Sequence, residues 1–220
     1  MRAAPAVALL ALAAGCLART TTEPRFFRPD STLIRESYES DPRVAKAGPL
    51  RAVRIRAVDG ESFLRERVVW RASGIEYGFY EQRRWHELPA SYVDQALRAA
   101  FYKSARVRLT DDLRVPTLHV AVTAFDEVLA PAHVAAVEAT VSLRDGHGQL
   151  LLERPFAAAM PIAGDDPSTM AAAMGGALDD VAARIADAVA DAVPAPPGSA
   201  PRENRARRTH QPIPRARTQS

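Results

Sequence analysis

The sequence predicts an α+β domain in which two helices pack on one face of a largely antiparallel or mixed sheet, in the order β-ββ-α-βββ-α. Three observations predict this class. Hydrophobic and polar residues alternate along several short segments, apolar residues recur at helical spacing along two longer ones, and turn residues separate the segments. Of the 220 residues, 47% are hydrophobic and 25% are charged, which excludes a collagen, a coiled-coil rod and a polytopic membrane protein.

The first strands are predicted from alternation. At residues 50–58, valine, isoleucine and alanine alternate with arginine, as in a strand with one solvent-exposed face. A hairpin is predicted next, because the strand-like segments 68–71 and 75–80 flank Ser73-Gly74. We expect Gly74 to supply the positive φ that a short hairpin turn requires.

The first helix is predicted from Pro89 onward, where the period of the apolar residues changes from two to that of a helix. The apolar stripe consists of Val93, Ala96, Leu97, Ala100 and Phe101. Ser91 is predicted to cap the start of this helix, with Asp94 as the acid of the first turn.

Three more strands are predicted at residues 118–124, 137–143 and 150–160, again from alternation. Pro155 should place the last of them at a sheet edge or a bulge, because proline cannot donate a hydrogen bond to a neighbouring strand.

The second helix is predicted after these strands, with Asp166 as its N-cap and Pro167 as its first residue. Pro194 should end it. The apolar stripe consists of Met174, Ala177, Leu178, Val181, Ile185, Ala188, Val189 and Ala192.

The N-terminal residues 1–15 are predicted to be a lipoprotein signal peptide. Arg2 gives a positive start, and the apolar stretch at 3–14 is too short to span a bilayer. Small residues then precede Cys16, the only cysteine of the sequence. We interpret Cys16 as the lipidation site, which would accept a diacylglycerol and hold the protein on a membrane. The alternative is an ordinary signal cleaved after Ala14 or Gly15, which leaves a free thiol.

The rest of the chain divides into three parts. Residues 16–49 are predicted to be the lipidated cysteine and a proline-rich tether, 50–193 the α+β domain, and 194–220 a disordered basic tail. Within the tether, Phe26-Phe27 and Leu33-Ile34 are apolar enough to dock on the domain. The tail holds six arginines and one glutamate, so the folded part is slightly acidic although the whole chain carries +3. The charge therefore does not indicate a nucleic-acid partner.

The sequence carries no pattern typical of catalysis. The five histidines lack metal-binding spacing, and no nucleophile elbow, phosphate-binding loop or dinucleotide fingerprint is present. The acid pairs at 111–112, 165–166 and 179–180 are interpreted as helix caps or solvated groups. We therefore assign no catalytic, cofactor-binding or metal-binding residue, and leave open an active site assembled from distant residues.

The segment 77–89 is unusual because it holds four aromatic residues and two arginines. We predict that Trp85 is buried and closes the core. Arg83 and Arg84 are predicted to keep their charged groups in water and to contact a partner, because arginine and aromatic residues carry much of the binding energy in interfaces.

These features resemble a known family. Residues 68–71 precede an aromatic strand, the segment Arg84-Trp85-His86-Glu87-Leu88-Pro89 leads into a helix, and that helix begins with Tyr92-Val93-Asp94-Gln95-Ala96-Leu97. With the lipidation signal and the order of strands and helices, this pattern is similar to the ABC-type transport auxiliary lipoprotein family over roughly residues 50–193.

The resemblance implies a non-enzymatic lipoprotein without a cofactor, held at the periplasmic face of the outer membrane of a Gram-negative bacterium. Leu17 agrees, because outer-membrane sorting requires that Asp not follow the lipidated cysteine. The implied partners are an ABC permease, its ATPase and a mammalian-cell-entry (MCE) domain protein, which together move lipids or other hydrophobic molecules. Whether the protein forms a homo-oligomer is left open.

Two other functions also stay open: a lipoprotein that supports secretion or peptidoglycan synthesis, and a lipoprotein hydrolase.

Overall fold

The computed structural model describes residues 23–39 and 51–194. Cys16, the predicted signal peptide and the predicted basic tail lie outside the described residues. None of the helices in the described ranges is long and apolar enough to cross a membrane.

Eight strands and three helices make up the described ranges. In chain order they are β1 Arg25–Phe27, α1 Thr32–Glu39, β2 Arg51–Gly60, β3 Arg67–Arg71, β4 Tyr77–Trp85, α2 Pro89–Ser104, β5 Val107–Leu109, β6 Thr117–Val128, β7 Val134–Arg144, β8 Leu150–Pro161 and α3 Pro167–Ala192.

The long strand β6 organises the sheet. One of its edges pairs with two strands in succession, β2 near its start and β3 near its end, both parallel to it. Its other edge pairs with β7, which is antiparallel, and β8 follows as the next antiparallel strand. Strand β5 lies beyond β2, while β4 and then β1 lie beyond β3. The mixed sheet and the α+β class are as predicted, and β8, which holds Pro155, is an edge strand among the described residues.

The core lies between the sheet and helices α2 and α3. Helix α3 packs on β7 and β8, whereas α2 packs on β2, β5 and β6, and the two helices contact each other. Every apolar residue predicted for the α2 stripe is buried, and so is the α3 stripe except for its half-buried Ala188 and Ala192. The inward residues of β6 and β7 complete the core, because alternate residues of a strand face opposite sides.

The helix starts only partly follow the predictions. At α3 the prediction is confirmed, because the Asp166 carboxylate accepts a hydrogen bond from the Ser168 backbone N–H. At α2 the predicted cap at Ser91 is wrong. Leu88 is the N-cap residue and makes no side-chain cap, since Pro89 occupies the first turn and needs no hydrogen-bond acceptor.

The hairpin also differs from its prediction. Gly74 does not have a positive φ; in the described ranges, the glycines that do are Gly148 and Gly164. The connection from Ala72 to Glu76 is longer than a two-residue turn, so the backbone has no need of the left-handed conformation there. In addition, β4 continues to Trp85, well beyond the predicted end at residue 80.

The predicted tether contains two elements that dock on the domain. Strand β1 pairs in parallel with the last residues of β4, and Leu33 of α1 is buried in the core. Asp179 of α3 caps α1: its carboxylate accepts hydrogen bonds from Ser31 Oγ at 2.5 Å and from the Thr32 N–H at 2.8 Å. The N–H of Asp30 also donates to the carbonyl of Ala171, at 3.1 Å.

Candidate functional site

Two adjacent acidic residues are buried at the end of β6. Asp126 is 0% exposed and Glu127 is 4% exposed. Glu127 is opposite Ala135 in the register of β6 and β7, and Ala135 belongs to the core beneath the helices. Because neighbouring residues of a strand face opposite sides, Asp126 lies on the other face of the sheet. The two carboxylates therefore serve two separate networks.

The Glu127 network lies on the face that carries the helices. Glu127 Oε2 accepts a hydrogen bond from Arg83 Nη1 at 2.9 Å, and its Oε1 is 2.8 Å from Nε2 of His133. The Arg83 guanidinium lies 3.9 Å from the centre of the Tyr80 ring. Burial, helped by the negative charge of Glu127, raises the pKa of the Tyr80 hydroxyl to about 12. One carboxylate thus holds an arginine from β4 and a histidine that precedes β7.

The Asp126 network lies on the opposite face. Asp126 Oδ1 accepts a hydrogen bond from the backbone N–H of Phe125 at 3.0 Å. Its Oδ2 is 3.4 Å from Arg71 Nε, which is an ion pair without hydrogen-bond geometry, so Oδ2 is buried without a hydrogen-bond partner in the described ranges. Arg71 also reaches Glu138 at 3.3 Å. Burial raises the pKa of Asp126, although the Phe125 N–H and the Arg71 charge oppose the shift.

The raised pKa of Asp126 predicts a measurable dependence of stability on pH. The Asp126 carboxylate binds a proton more readily in the native state than in the unfolded chain, where its pKa is near 3.8. The stabilisation is therefore fully present below pH 3.8 and is lost as the pH rises through the raised value. Compared with Asp126→Asn, the wild type should gain free energy of unfolding as the pH falls from neutral to 3.8. Urea denaturation of both proteins measures the difference.

Asp112 provides a control, because its pKa is shifted in the opposite direction to that of Asp126. Hydrogen bonds from Arg114 lower the pKa of Asp112 to about 2. Its contribution is present above the unfolded value and is lost as the pH falls towards 2, so Asp112→Asn should differ from the wild type in the other direction. If the free energy of unfolding changed with pH in the same way for the wild type and for Asp126→Asn, the pKa of Asp126 would be the same in the folded and unfolded chains.

A shallow cleft of about 360 Å³ lies beside the Glu127 network, at the start of α3. Its walls are Arg25, Tyr80, Glu81, Gln82, Arg83 and Pro167. The backbone N–H of Ser168 lowers the pKa of the neighbouring Asp166, and the charges of Arg25 and Arg83 act in the same direction. The cleft therefore combines two guanidinium groups, a tyrosine, an amide and the carboxylate of Glu81, which suits contact with polar groups of a partner.

Arg83 and Arg84, which were both predicted to contact a partner, lie on different faces of the sheet in the structure. Arg83 is the register partner of Arg25, and Arg84 is the partner of Phe26. Because they are consecutive in β4, their side chains project from opposite faces of the sheet. Arg84 has no side-chain ion pair or hydrogen bond within the described ranges. The prediction that both charged groups stay in water holds only in part for Arg83: its guanidinium pairs with Glu127, and 24% of its side chain is exposed.

The burial predicted for Trp85 is confirmed. Trp85 is 0% exposed and packs edge-on against Phe125 and Tyr92, with ring centres 5.2 Å and 6.4 Å away. Cys16, the predicted lipidation site, lies outside the described residues. Within the ranges that the structure describes, no three His, Cys, Asp or Glu side chains come together in a way that could hold a metal ion.

The comparison with protein families is decisive. The model of the ABC-type transport auxiliary lipoprotein component matches residues 37–186, well over half of the chain. The chain belongs to this family. The sequence-based resemblance is therefore confirmed, and the match covers both charge networks and Arg83.

Solved structures support the fold of this auxiliary component. A crystal structure of a protein from Xanthomonas campestris is similar with a TM-score of 0.61 at 17% identity, covering 76% of this chain and 95% of that one. An uncharacterized protein is similar with a TM-score of 0.59 at 16% identity, covering 76% and 99% of the two chains. At such low identity the similarity shows the fold alone. No curated protein matches the chain significantly.

Sequence reasoning missed the buried acids of the auxiliary component. Asp126 and Glu127 follow a regular run of alternating apolar residues and precede Val128 and Leu129. Two acids within such a strand cannot both face water, because alternate residues face the core. That pattern was a usable signal for Glu127, whereas nothing in the sequence indicated its distant partner Arg83.

Proposed function

We propose that the protein is the outer-membrane-anchored lipoprotein component of a system that moves lipids or other hydrophobic molecules across the periplasm with an ABC permease, its ATPase and an MCE-domain protein. The match of residues 37–186 to the transport auxiliary family carries the proposal. Cys16 at the end of the predicted signal segment supports a lipid anchor, and Leu17 supports outer-membrane sorting.

We propose a binding role rather than a catalytic one. Glu127 is paired with Arg83 and His133, and Asp126 faces Arg71, so each buried carboxylate of the two networks has a cationic neighbour. Such pairs favour a structural role for these two acids at the junction of β3, β4 and β6 over a role as a general base.

The partner contact is proposed at the cleft beside α3. A single partner surface cannot engage Arg83 and Arg84 together, since they project from opposite faces of the sheet. Arg83 lines the cleft with Arg25 and the exposed Gln82, so we retain Arg83 for the partner.

The test is capture of partners by the full-length protein from cross-linked envelopes, followed by titration of the captured MCE-domain protein. Arg83→Ala and Gln82→Ala should each weaken binding about tenfold, the effect of losing a well-placed interface side chain. Arg108→Ala, at an exposed arginine of β5 on the far side of the sheet, should bind like the parent.

Two readouts keep this test decisive. Arg83→Ala also removes one of the two partners of Glu127, so its thermal melt is needed, whereas Gln82→Ala leaves the network intact. If Gln82→Ala and a folded Arg83→Ala both bind like the parent, the partner does not bind at this cleft. Capture of secretion or peptidoglycan-synthesis proteins in place of transport proteins would contradict the transport role.

A further inference from the structure

Phe26, Arg84 and Arg67 lie side by side across β1, β4 and β3. Phe26 is the register partner of Arg84, and Arg84 is the register partner of Arg67. Register partners in adjacent strands project from the same face of a sheet, so the three side chains form one row, here called the β1 patch. Phe26 is 60% exposed, Arg67 is exposed and Arg84 is half-buried.

The chemistry of the β1 patch suits a phospholipid surface. Neither Arg67 nor Arg84 has a side-chain hydrogen bond or ion pair in residues 23–39 and 51–194. Arg28, two residues after Phe26 in the chain, is also exposed. An exposed aromatic ring among unpaired guanidinium groups can enter the boundary of headgroups and acyl chains while the cations contact lipid phosphates.

The position of the β1 patch in the chain selects the membrane over other occupants. Phe26 follows Cys16 by only ten residues. Since an extended chain spans at most about 3.6 Å per residue, Phe26 lies within about 36 Å of the lipidation site whatever the path between them. Strand β1 is also fixed to the domain through β4, and the following residues are fixed to α3 through Asp30 and Asp179. The chain therefore enters the domain along β1, the strand that carries Phe26.

We propose that the β1 patch lies against the phospholipid surface into which the acyl chains on Cys16 insert. The inference rests on the lipid anchor of the proposed function. It gives the two neighbouring arginines different roles: Arg84 contacts lipid, while Arg83 on the opposite face of the sheet stays with the partner cleft. The anchor and the patch together orient the domain, so that the cleft opens away from the bilayer surface.

The test places a tryptophan at the patch of the full-length lipidated chain. Phe26→Trp is reconstituted in vesicles of phosphatidylethanolamine and phosphatidylglycerol whose acyl chains carry bromine, and the emission of the parent is subtracted. The added tryptophan should be quenched by the brominated chains. Leu113→Trp, at a site that is 72% exposed in the loop after β5, is the matched control and should not be quenched.

Charge variants test the arginines of the patch. Arg67→Gln and Arg84→Gln should each lower the ratio of docked to undocked domain about fivefold, the weight of one basic residue near an anionic surface, and added salt should have the same direction of effect. Arg108→Gln should leave the ratio unchanged. If neither charge variant nor added salt changes the quenching of Phe26→Trp, the proposed role of the arginines is wrong.

Separate readouts distinguish failure of the patch from failure of the anchor. Intact mass and vesicle flotation, with Cys16→Ala for comparison, report acylation. A chain without acyl mass overturns the anchor and the patch with it. An acylated, floating chain whose new tryptophan escapes quenching overturns the patch alone. The patch is also overturned if the tryptophan is shielded from aqueous iodide yet not quenched by brominated lipid, because a protein surface then covers it.

Discussion

Trp85→Ala is expected to lower the free energy of unfolding by about 3 to 5 kcal/mol, the usual loss when a fully buried tryptophan is truncated. Trp85 is 0% exposed, and its ring meets Phe125 of β6 and Tyr92 of α2. The loss comes from packing, since the Trp85 indole N–H has no hydrogen-bond partner in the described ranges. Urea denaturation followed by circular dichroism measures it.

Two comparisons give the Trp85 result its meaning. Trp85→Phe keeps an aromatic ring beside Phe125 and Tyr92 and forfeits no hydrogen bond, so it should lose much less stability. Leu113→Ala, at an exposed site, should change the free energy of unfolding by less than about 0.5 kcal/mol. A loss at Trp85→Ala no larger than at Leu113→Ala would mean that the ring does not close the core.

The burial of Trp85 was predictable because it depends on local pattern. The same holds for the helix stripes that contain Leu97 and Val181, where apolar residues at helical spacing require a covering sheet. Asp166 and Pro167 likewise mark the start of α3 by local chemistry alone. Periodicity and capping act over a few residues, so the sequence displays them directly.

The charge networks and the docking of the tether were less predictable because their partners are far apart in the chain. Arg83 meets Glu127 across 44 positions, and Asp179 caps a helix 147 positions away. Neither pairing leaves a local pattern. The strand β1, with three residues, is also too short for alternation to indicate it. Its place beside β4 follows from tertiary packing. Arg83 and Arg84 face different ways because β4 continues through both of them, beyond its predicted end at residue 80.

The adjacent glycines of α3 should respond to alanine with opposite signs. A Cβ on Gly175 would overlap the backbone carbonyl of Asp30, whereas a Cβ on Gly176 would meet only the Met160 side chain, at an ordinary 3.5 Å. Alanine within a helix is favoured over glycine by about 1 kcal/mol. Gly176→Ala should therefore raise the free energy of unfolding by about that amount. Gly175→Ala should lose the gain and a further 1 to 3 kcal/mol, typical of overpacking.

The loss at Gly175→Ala should be local in origin. The overlap forces the chain around Asp30 away from α3, which breaks the Asp30–Ala171 hydrogen bond and draws Thr32 away from the Asp179 cap. Hydrogen exchange should therefore accelerate in α1 and β1 more than in β6 or β7, with Gly176→Ala as the control that leaves the pattern unchanged. Equal stabilisation by both alanines would mean that the tether does not dock on α3. Because β1 carries Phe26, release of this segment would also uncouple the orientation of the domain from the proposed lipid anchor.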